Sequence, residues 1–333
     1  MTFETQDVER KTLSILKVLA GEEEPLGSIV IARKLKDLGI DLGERAVRYH
    51  LKMMDEQGLT SLAGRRDGRL ITLLGRRELK QGMVKDKVGF ALSRIEMLAF
   101  RTSFDLEKRS GMVPVNITVF GKSDFQKALR LMKPVMGSRL TVSRLVAVGR
   151  AGEKIGDFIV PSDSVALATV CSIVVNGTLL KAGIPMDSKF GGLLQMQDHE
   201  PLRFVELIHY AGCSLDPSEI FIKAGMTSAS HTVKTGSGNI LANFREIPSI
   251  CRPIAHDVIS GLARAGINGV LVFGSVSEAV CEVAVELNRV GIVLLGGLNP
   301  VAAVAEAGIP LESHAMSTVV DYRELVGFEE LLQ

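Results

Sequence analysis

The sequence is poor in the residue types that build metal centres and disulfide frameworks. It has no tryptophan, and its four cysteines are Cys171, Cys213, Cys251 and Cys281. These cysteines form no C-x-x-C pair and have no histidine at metal-ligand spacing. We therefore expect free thiols in a reducing compartment, and we expect no metal site.

Long apolar runs are also missing. None approaches the roughly 20 residues that a transmembrane helix requires. The amino terminus, MTFETQDVERK, carries acidic residues where a signal peptide would have an apolar stretch. We expect a cytoplasmic protein with no membrane partner. With 46% hydrophobic and 23% charged residues among 333, the composition is that of a folded protein with two or three units.

Sequence motifs of common enzyme classes are absent as well. The chain has no G-x-x-x-x-G-K-[ST] phosphate loop, and no G-x-G-x-x-G opens a helix after a strand. Lys234, Thr235 and Gly236 spell one motif of penicillin-recognising enzymes, but its companions S-x-x-K and S-D-N do not accompany it in order. The six histidines are scattered along the chain. We expect no catalytic residues, no cofactor and no enzyme activity.

Residues 1–82 have the sequence pattern of a winged helix. Apolar spacing predicts helices over Val8–Ala20 and Ser28–Leu38 and a third in the stretch ERAVRYHLKMMDEQ, which Gly58 ends. The following stretch LTSLAGRRDGRLITLL predicts strand, turn and strand, with Asp67-Gly68 as the hairpin turn. A hairpin after a helix-turn-helix is a wing.

The third helix and the wing are basic. Val47, Leu51 and Met54 share one side of the helix, which leaves its polar residues on the other side. The predicted DNA-contacting residues are Arg45, Arg48, Tyr49 and Lys52 on the helix and Arg65, Arg66 and Arg69 on the wing. Such a helix fits the major groove of double-stranded DNA, while wing arginines meet phosphates or the minor groove. The stretch AVRYHLKMMDEQGL resembles winged-helix regulators and also the winged helix of ribonuclease R, so RNA remains an alternative partner. A protein-binding winged helix is a further alternative.

The remainder of the chain contains an internal repeat. AGIPMDSK at residues 182–189 returns as AGIPLESH at residues 307–314. The first copy predicts strands at VPVNITVF, RLVAVG and IGDFIVP, helices over 124–136 and 162–181, and a last strand over 191–197. The second copy repeats that order from NILANFREI to AMSTVVDY. We predict an α+β protein in which the winged helix precedes a duplicated β-α-β-β-α-β regulatory domain of the ferredoxin-like kind, with repeats over 83–210 and 211–333.

Between the two octapeptides lies a segment rich in Gly, Ser and Thr, Phe221–Pro248, which contains Arg245 near its end. An arginine binds a carboxylate through two parallel hydrogen bonds, although a salt bridge to a neighbouring acid such as Glu246 is the simpler role. Clefts between related modules are common ligand sites.

Three long motifs carry a resemblance to a known family: GMTSASHTVKTGSGNILANFREIP, GIVLLGGLNPVAAVAEAGIP and AMSTVVDYREL. They resemble the regulatory domain of the archaeal nitrogen repressor family, and the winged helix stands where that family has its DNA-binding unit. The resemblance implies a repressor of nitrogen-assimilation genes that binds operator DNA as a homodimer, with 2-oxoglutarate as inducer.

A dianion such as 2-oxoglutarate needs cations or clustered N–H donors. The predicted effector-binding residues on these motifs are Thr227, Ser228, Thr235, Gly236, Ser237, Asn239, Arg245 and Asn299. A different small carboxylate remains the alternative effector, because the residues alone do not select the keto acid.

Overall fold

The computed structural model of the protein describes residues 3–22, 24–37, 40–64, 68–81 and 88–332. The chain forms two compact units, Met1–Val88 and Gly89–Gln333, and each is described by itself. Arg65, Arg66 and Asp67, which belong to the predicted wing turn, lie outside the described residues.

The first unit is the predicted winged helix. Its elements are α1 (Phe3–Ala20), α2 (Ser28–Asp37), α3 (Glu44–Glu56), β1 (Thr60–Leu62), β2 (Arg69–Ile71) and α4 (Leu73–Gln81). The apolar sides of the helices meet in one core that includes Ile15, Leu35 and Leu51. The helix α4 was not predicted from the sequence.

The two strands of the wing pair antiparallel, with Thr60 opposite Ile71, and Arg69 also bridges to Leu26. Gly68 makes that bridge possible. Its φ of 93° lies in the left-handed region, and a Cβ there would lie 2.4 Å from the Leu26 carbonyl carbon. Hence only glycine fits at the start of the second wing strand.

The second unit contains both repeats. Before and within the first repeat lie α5 (Phe90–Arg101), β3 (Met112–Gly121), α6 (Phe125–Met136), β4 (Leu145–Arg150), β5 (Lys154–Ile155), β6 (Phe158–Ile159), β7 (Ser164–Val170), α7 (Ile173–Lys181), β8 (Asp187–Gln197) and β9 (Glu200–His209). Then follow α8 (Pro217–Lys223), α9 (Ala229–Thr235), β10 (Gly238–Pro248), α10 (Arg252–Arg264), β11 (Val270–Val276), β12 (Arg289–Leu295), α11 (Asn299–Glu306), β13 (Leu311–Asp321) and β14 (Val326–Gly327).

The repeats exchange their last strands. One sheet has the order β13-β3-β7-β4-β14, and the other has the order β11-β12-β10-β8-β9. Thus β8, the last strand of the first repeat, pairs with β10 of the second, and β13 pairs with β3 of the first. The α+β class and the duplicated β-α-β-β-α-β order are as predicted. The boundary at residue 210 separates the two repeats in the sequence, but each of the two sheets contains strands of both repeats.

The repeated octapeptide follows the second helix of each repeat. Gly183 and Gly308 have φ values of 79° and 74°, so both take the left-handed conformation that ends a helix. The chain then runs directly into the exchanged strand. Helices of the two repeats also pack against each other, α6 on α11 and α10 on α7.

Two sequence predictions in the first repeat were wrong. The stretch IGDFIVP is a short hairpin of β5 and β6, and not the third main strand. That strand is β7, within the range predicted as a helix over 162–181. Its residues 166–170 are all buried, so β7 has the continuous apolar pattern of a central strand, which periodicity alone does not separate from a buried helix.

None of the described helices is both long enough and apolar enough to cross a membrane.

Candidate nucleic-acid interface and effector pocket

The helix α3 has one buried apolar side and one exposed cationic side. Val47, Leu51 and Met54 are fully buried in the core of the first unit. The predicted DNA-contacting residues of this helix, Arg45, Arg48, Tyr49 and Lys52, are all exposed. Tyr49 is 63% exposed, although tyrosine is on average only intermediate in its exposure. The helix therefore presents three cations and one aromatic ring to solvent.

Two acidic neighbours of this surface, Glu44 and Asp55, are engaged within the unit. Glu44 pairs with Arg48 one turn along α3. Asp55 accepts hydrogen bonds from Thr60 at 2.6 Å and from Nε of Arg69 at 2.8 Å. Arg69 is half-buried, so it fastens the wing to α3 and leaves less of its guanidinium for a nucleic acid than the sequence implied.

A second candidate site surrounds Arg245 in the regulatory unit. This residue lies on β10 beside a register shift after Phe244, and its side chain is 1% exposed. The guanidinium carbon lies 4.6 Å from the centre of the Tyr210 ring. Nη1 donates a long hydrogen bond of 3.4 Å to the Phe244 carbonyl, while Nε has no partner among the described residues. Arg245 is thus a buried cation with unused hydrogen-bonding capacity.

Arg245 shares a small cavity with Asp216, Tyr210 and Asn243. Asp216 caps α8 by accepting a hydrogen bond from the Ser218 amide at 2.8 Å. Burial raises the pKa of Asp216, while hydrogen bonds from Ser218 and the positive charge of Arg245 oppose that rise. The Tyr210 hydroxyl donates to Asn243 Oδ1 at 2.5 Å, and burial raises the pKa of Tyr210.

The size of this cavity limits what it holds. Its volume is about 20 Å³, which has room for about one water molecule. Cys171 also lines it, and burial raises the pKa of that thiol to about 12, so the thiol is protonated at neutral pH. In this conformation the cavity does not admit a five-carbon dicarboxylate.

The other predicted effector-binding residues do not line this cavity. Thr227, Ser228, Thr235, Gly236, Ser237 and Asn239 lie around α9 and the start of β10. Ser228 Oγ accepts a hydrogen bond from the Asn239 amide at 2.7 Å, and Thr235 Oγ donates to the His231 carbonyl. Asn299 is fully buried, where it accepts from the Leu241 amide and donates to the Leu140 carbonyl. The structure uses these groups to hold strands and helices together.

The amino-terminal end of α9 already carries a carboxylate. Glu306, at the end of α11, accepts hydrogen bonds from the amides of Ala229 and Ser230 at 2.7 and 3.0 Å. Those amides are the donors that an anionic ligand would otherwise meet there. The sequence did not indicate this contact, because the two segments are far apart along the chain.

Sequence reasoning also missed the partners of Arg245. Asp216 precedes Pro217, which is the pattern of a helix cap, so its position was open to prediction. Tyr210 gives no such signal, since nothing local says that its ring will stack on an arginine 35 residues later.

Comparison with known proteins follows the division into two units. The family model of the NrpR regulatory domains NRD1 and 2 matches residues 88–326. The model of the ribonuclease R winged-helix domain matches residues 13–79. Among solved structures, a nitrogen repressor-like protein from Methanococcus jannaschii has 25% sequence identity and a TM-score of 0.61, and the match covers 72% of this chain and 98% of that one.

Relatives of known name match over nearly the whole chain. The global nitrogen regulator NrpRI of Methanosarcina mazei is 37% identical over 318 residues, which are 96% of this chain and 98% of that protein. The global nitrogen regulators NrpR of Methanococcus maripaludis and Methanocaldococcus jannaschii are each 31% identical. The match covers 54% and 55% of those two proteins, so this chain spans about half their length.

Proposed function

The chain belongs to the NrpR family of nitrogen regulators, and from that premise we propose that it represses nitrogen-assimilation genes by binding operator DNA. The observation that carries the proposal is the exposed cationic side of α3, with Arg45, Arg48 and Lys52 opposite the buried apolar side. A helix of this kind places its polar side in the major groove, where arginine and lysine reach base edges and phosphates.

We propose that the protein binds its operator as a homodimer. One winged helix reads a short half-site, and two copies related by a twofold axis read a palindrome with half-sites about one turn of DNA apart. The family resemblance supports the dimer.

Two substitutions on α3 test DNA binding. Arg48→Ala combined with Lys52→Ala should reduce retention of an operator fragment at least about a hundredfold, because two phosphate or base contacts are lost. Their effect on folding is small, since Arg48 loses only an exposed pair with Glu44 worth about 0.5 kcal/mol. Lys127→Ala with Arg130→Ala, on exposed positions of α6, removes the same charge and serves as the control. Full retention by the folded α3 variant would remove DNA binding from this helix.

RNA is the second candidate partner, because residues 13–79 match the winged-helix domain of ribonuclease R. Phosphate contacts attract both nucleic acids, so the comparison has to be made at one salt concentration. We expect tighter retention of an operator duplex than of single-stranded or double-stranded RNA of equal length. Preference for RNA would favour the alternative. Tyr49 is the only aromatic residue on the exposed side of α3, which gives little surface for base stacking.

We further propose that 2-oxoglutarate controls DNA binding. A ligand shifts operator affinity only when it binds one arrangement of the regulatory domains more tightly than the other, and each 1.4 kcal/mol of such coupling changes the affinity about tenfold. Binding of the dianion would favour an arrangement in which two winged helices no longer match two half-sites. The support is the family likeness together with a group of arginines that line one groove of the regulatory unit, described next.

A further inference from the structure

A wide groove opens where the two repeats meet in the regulatory unit. It follows the carboxyl-terminal ends of α6 and α10, which are the first helices of their repeats, and its volume is about 790 Å³. The turn after α6 contributes one wall and the turn after α10 contributes the other. The two turns are joined by a β-bridge between Ser143 and Ile267. The groove is therefore built from equivalent segments of the duplication.

Four arginines line this basic groove: Arg109, Arg139, Arg144 and Arg264. None of the described residues that line it is acidic. Arg139 donates from Nη1 and Nη2 to Oε1 of Glu200 at 3.4 and 3.3 Å, but the Glu200 side chain is 75% exposed, and an exposed pair of this kind holds the arginine weakly. The other three arginines form no ion pair with any described residue.

Two of the arginines are held in place by the backbone. Arg144 Nη2 donates to the Gly137 carbonyl at 2.7 Å, and Arg109 Nη2 donates to the Arg264 carbonyl at 3.1 Å. A guanidinium has five N–H donors, so each side chain is positioned by one donor and retains others for a ligand. A positioned arginine loses less conformational entropy when it binds an anion.

The negative ends of the helices do not cancel this charge. The carbonyl oxygens at the end of α10 accept hydrogen bonds from Tyr322 at Ala265 and from Ser143 at Gly266. Each helix end contributes about half a negative charge, whereas the groove carries four full positive charges. The groove therefore remains a positive site that is open to solvent.

We propose that the basic groove binds a small dicarboxylate, with one carboxylate on Arg139 and Arg144 and the other on Arg264 and its neighbour Arg109, and that it is the effector site of the regulator. This inference rests on the proposed function, since it locates the effector of that function. A guanidinium matches a planar carboxylate with two parallel hydrogen bonds, and cations on two walls match two carboxylates better than one compact anion. The volume lies in the usual range for ligand sites, in contrast to the much smaller cavity at Arg245.

Calorimetry on the full chain tests the inference, with 2-oxoglutarate, glutarate and inorganic phosphate as probes. We expect the unaltered protein to bind 2-oxoglutarate and to bind phosphate much more weakly. Arg144→Gln with Arg264→Gln should lower the affinity for 2-oxoglutarate about tenfold or more, because each wall loses a cation. Arg139→Gln with Arg264→Gln should do the same and breaks no hydrogen bond to the backbone, so it serves if the first variant folds poorly.

Two controls separate this inference from its alternatives. Lys127→Gln with Arg130→Gln removes equal charge from α6 and should leave the affinity unchanged. Arg245→Lys keeps the buried charge and should also bind 2-oxoglutarate normally. Unchanged affinity in both groove variants, or a loss confined to Arg245→Lys, overturns the groove site while 2-oxoglutarate remains the effector.

A different result is expected if 2-oxoglutarate is not the effector. If the unaltered protein retains operator DNA but binds neither dicarboxylate, the dicarboxylate inference and 2-oxoglutarate control both fall, and the DNA-binding function stands. Binding of phosphate alone would overturn the ligand class proposed for the groove.

Discussion

The cavity at Arg245 and the basic groove both collect positive charge in the regulatory unit, but they differ in burial. Arg245 is 1% exposed, stacks on Tyr210 and shares about 20 Å³ with Asp216. Arg264 is exposed at the edge of a groove of about 790 Å³. A buried charge is costly and depends on nearby groups of the protein, whereas an exposed charge is solvated and remains accessible to a ligand. We therefore expect the first region to affect stability, and we propose ligand binding only for the second.

The largest expected effect is on stability. Arg245→Met leaves Asp216 without its nearby cation in a buried site and removes the stacking on Tyr210. We expect it to lower the free energy of unfolding by about 3 kcal/mol. Arg264→Met, the matched change in the groove, should alter it by less than about 0.5 kcal/mol. Urea denaturation followed by circular dichroism measures both. Equal effects of the two substitutions on the free energy of unfolding would contradict the difference drawn between the two regions.

We expect salt to have an intermediate effect, on the affinity for 2-oxoglutarate. Charges in the open groove are screened, since the Debye length falls from about 14 Å to about 4 Å between about 0.05 and 0.5 M NaCl. The affinity for 2-oxoglutarate should fall about tenfold over that range if it binds exposed arginines. Titration calorimetry at both salt concentrations measures the change. An affinity that varies less than about twofold would indicate a buried site such as that of Arg245.

The smallest expected effect concerns pH. The pKa of Asp216 is raised by burial above its ordinary value of 3.8, so the folded protein holds this proton to higher pH than the unfolded chain does. The stability contributed by protonated Asp216 is therefore lost as pH rises from about 3.8 through the raised pKa. Asp216→Asn keeps an amide oxygen that caps α8 and should remove this loss. Thermal denaturation between pH 3 and pH 8 measures it.

Asp321 provides the control of opposite sign. Hydrogen bonds from Arg323 lower the pKa of Asp321 to about 2, so its contribution is present above pH 3.8 and is lost as pH falls toward 2. The melting-temperature difference between Asp321→Asn and the unaltered protein should therefore be largest near neutral pH and vanish in acid. The same pH profile for both aspartate variants would show that Asp216 is not governed by burial.

The winged helix was predictable because its signals are local. Val47, Leu51 and Met54 repeat at helical spacing, and Gly58 and Gly68 stand where positive φ values are needed. The basic side of α3 follows from the same pattern. The ion pair between Arg69 and Asp55 could not be predicted from the sequence, because it depends on how the wing folds back on the helix.

The regulatory unit was predictable in its element order but not in its pairing. The octapeptide ends of both repeats are nearly identical, so β8 and β13 fit either sheet by local pattern, and only the three-dimensional arrangement shows the exchange. Arg109, Arg144 and Arg264 come from three segments that carry no shared motif, so the groove was not visible in the sequence. The sequence singled out Arg245 as a candidate carboxylate-binding residue, which stays a prediction, and its burial was not foreseen.

The measurement that tests the central claim most directly is retention of an operator duplex by the full chain as 2-oxoglutarate is added, with succinate and glutamate as controls. We predict that the protein retains the duplex without ligand, that 2-oxoglutarate releases it in a saturable way, and that neither control does so at equal concentration. Retention that is unchanged at saturating 2-oxoglutarate, or no retention of DNA at all, would contradict the account.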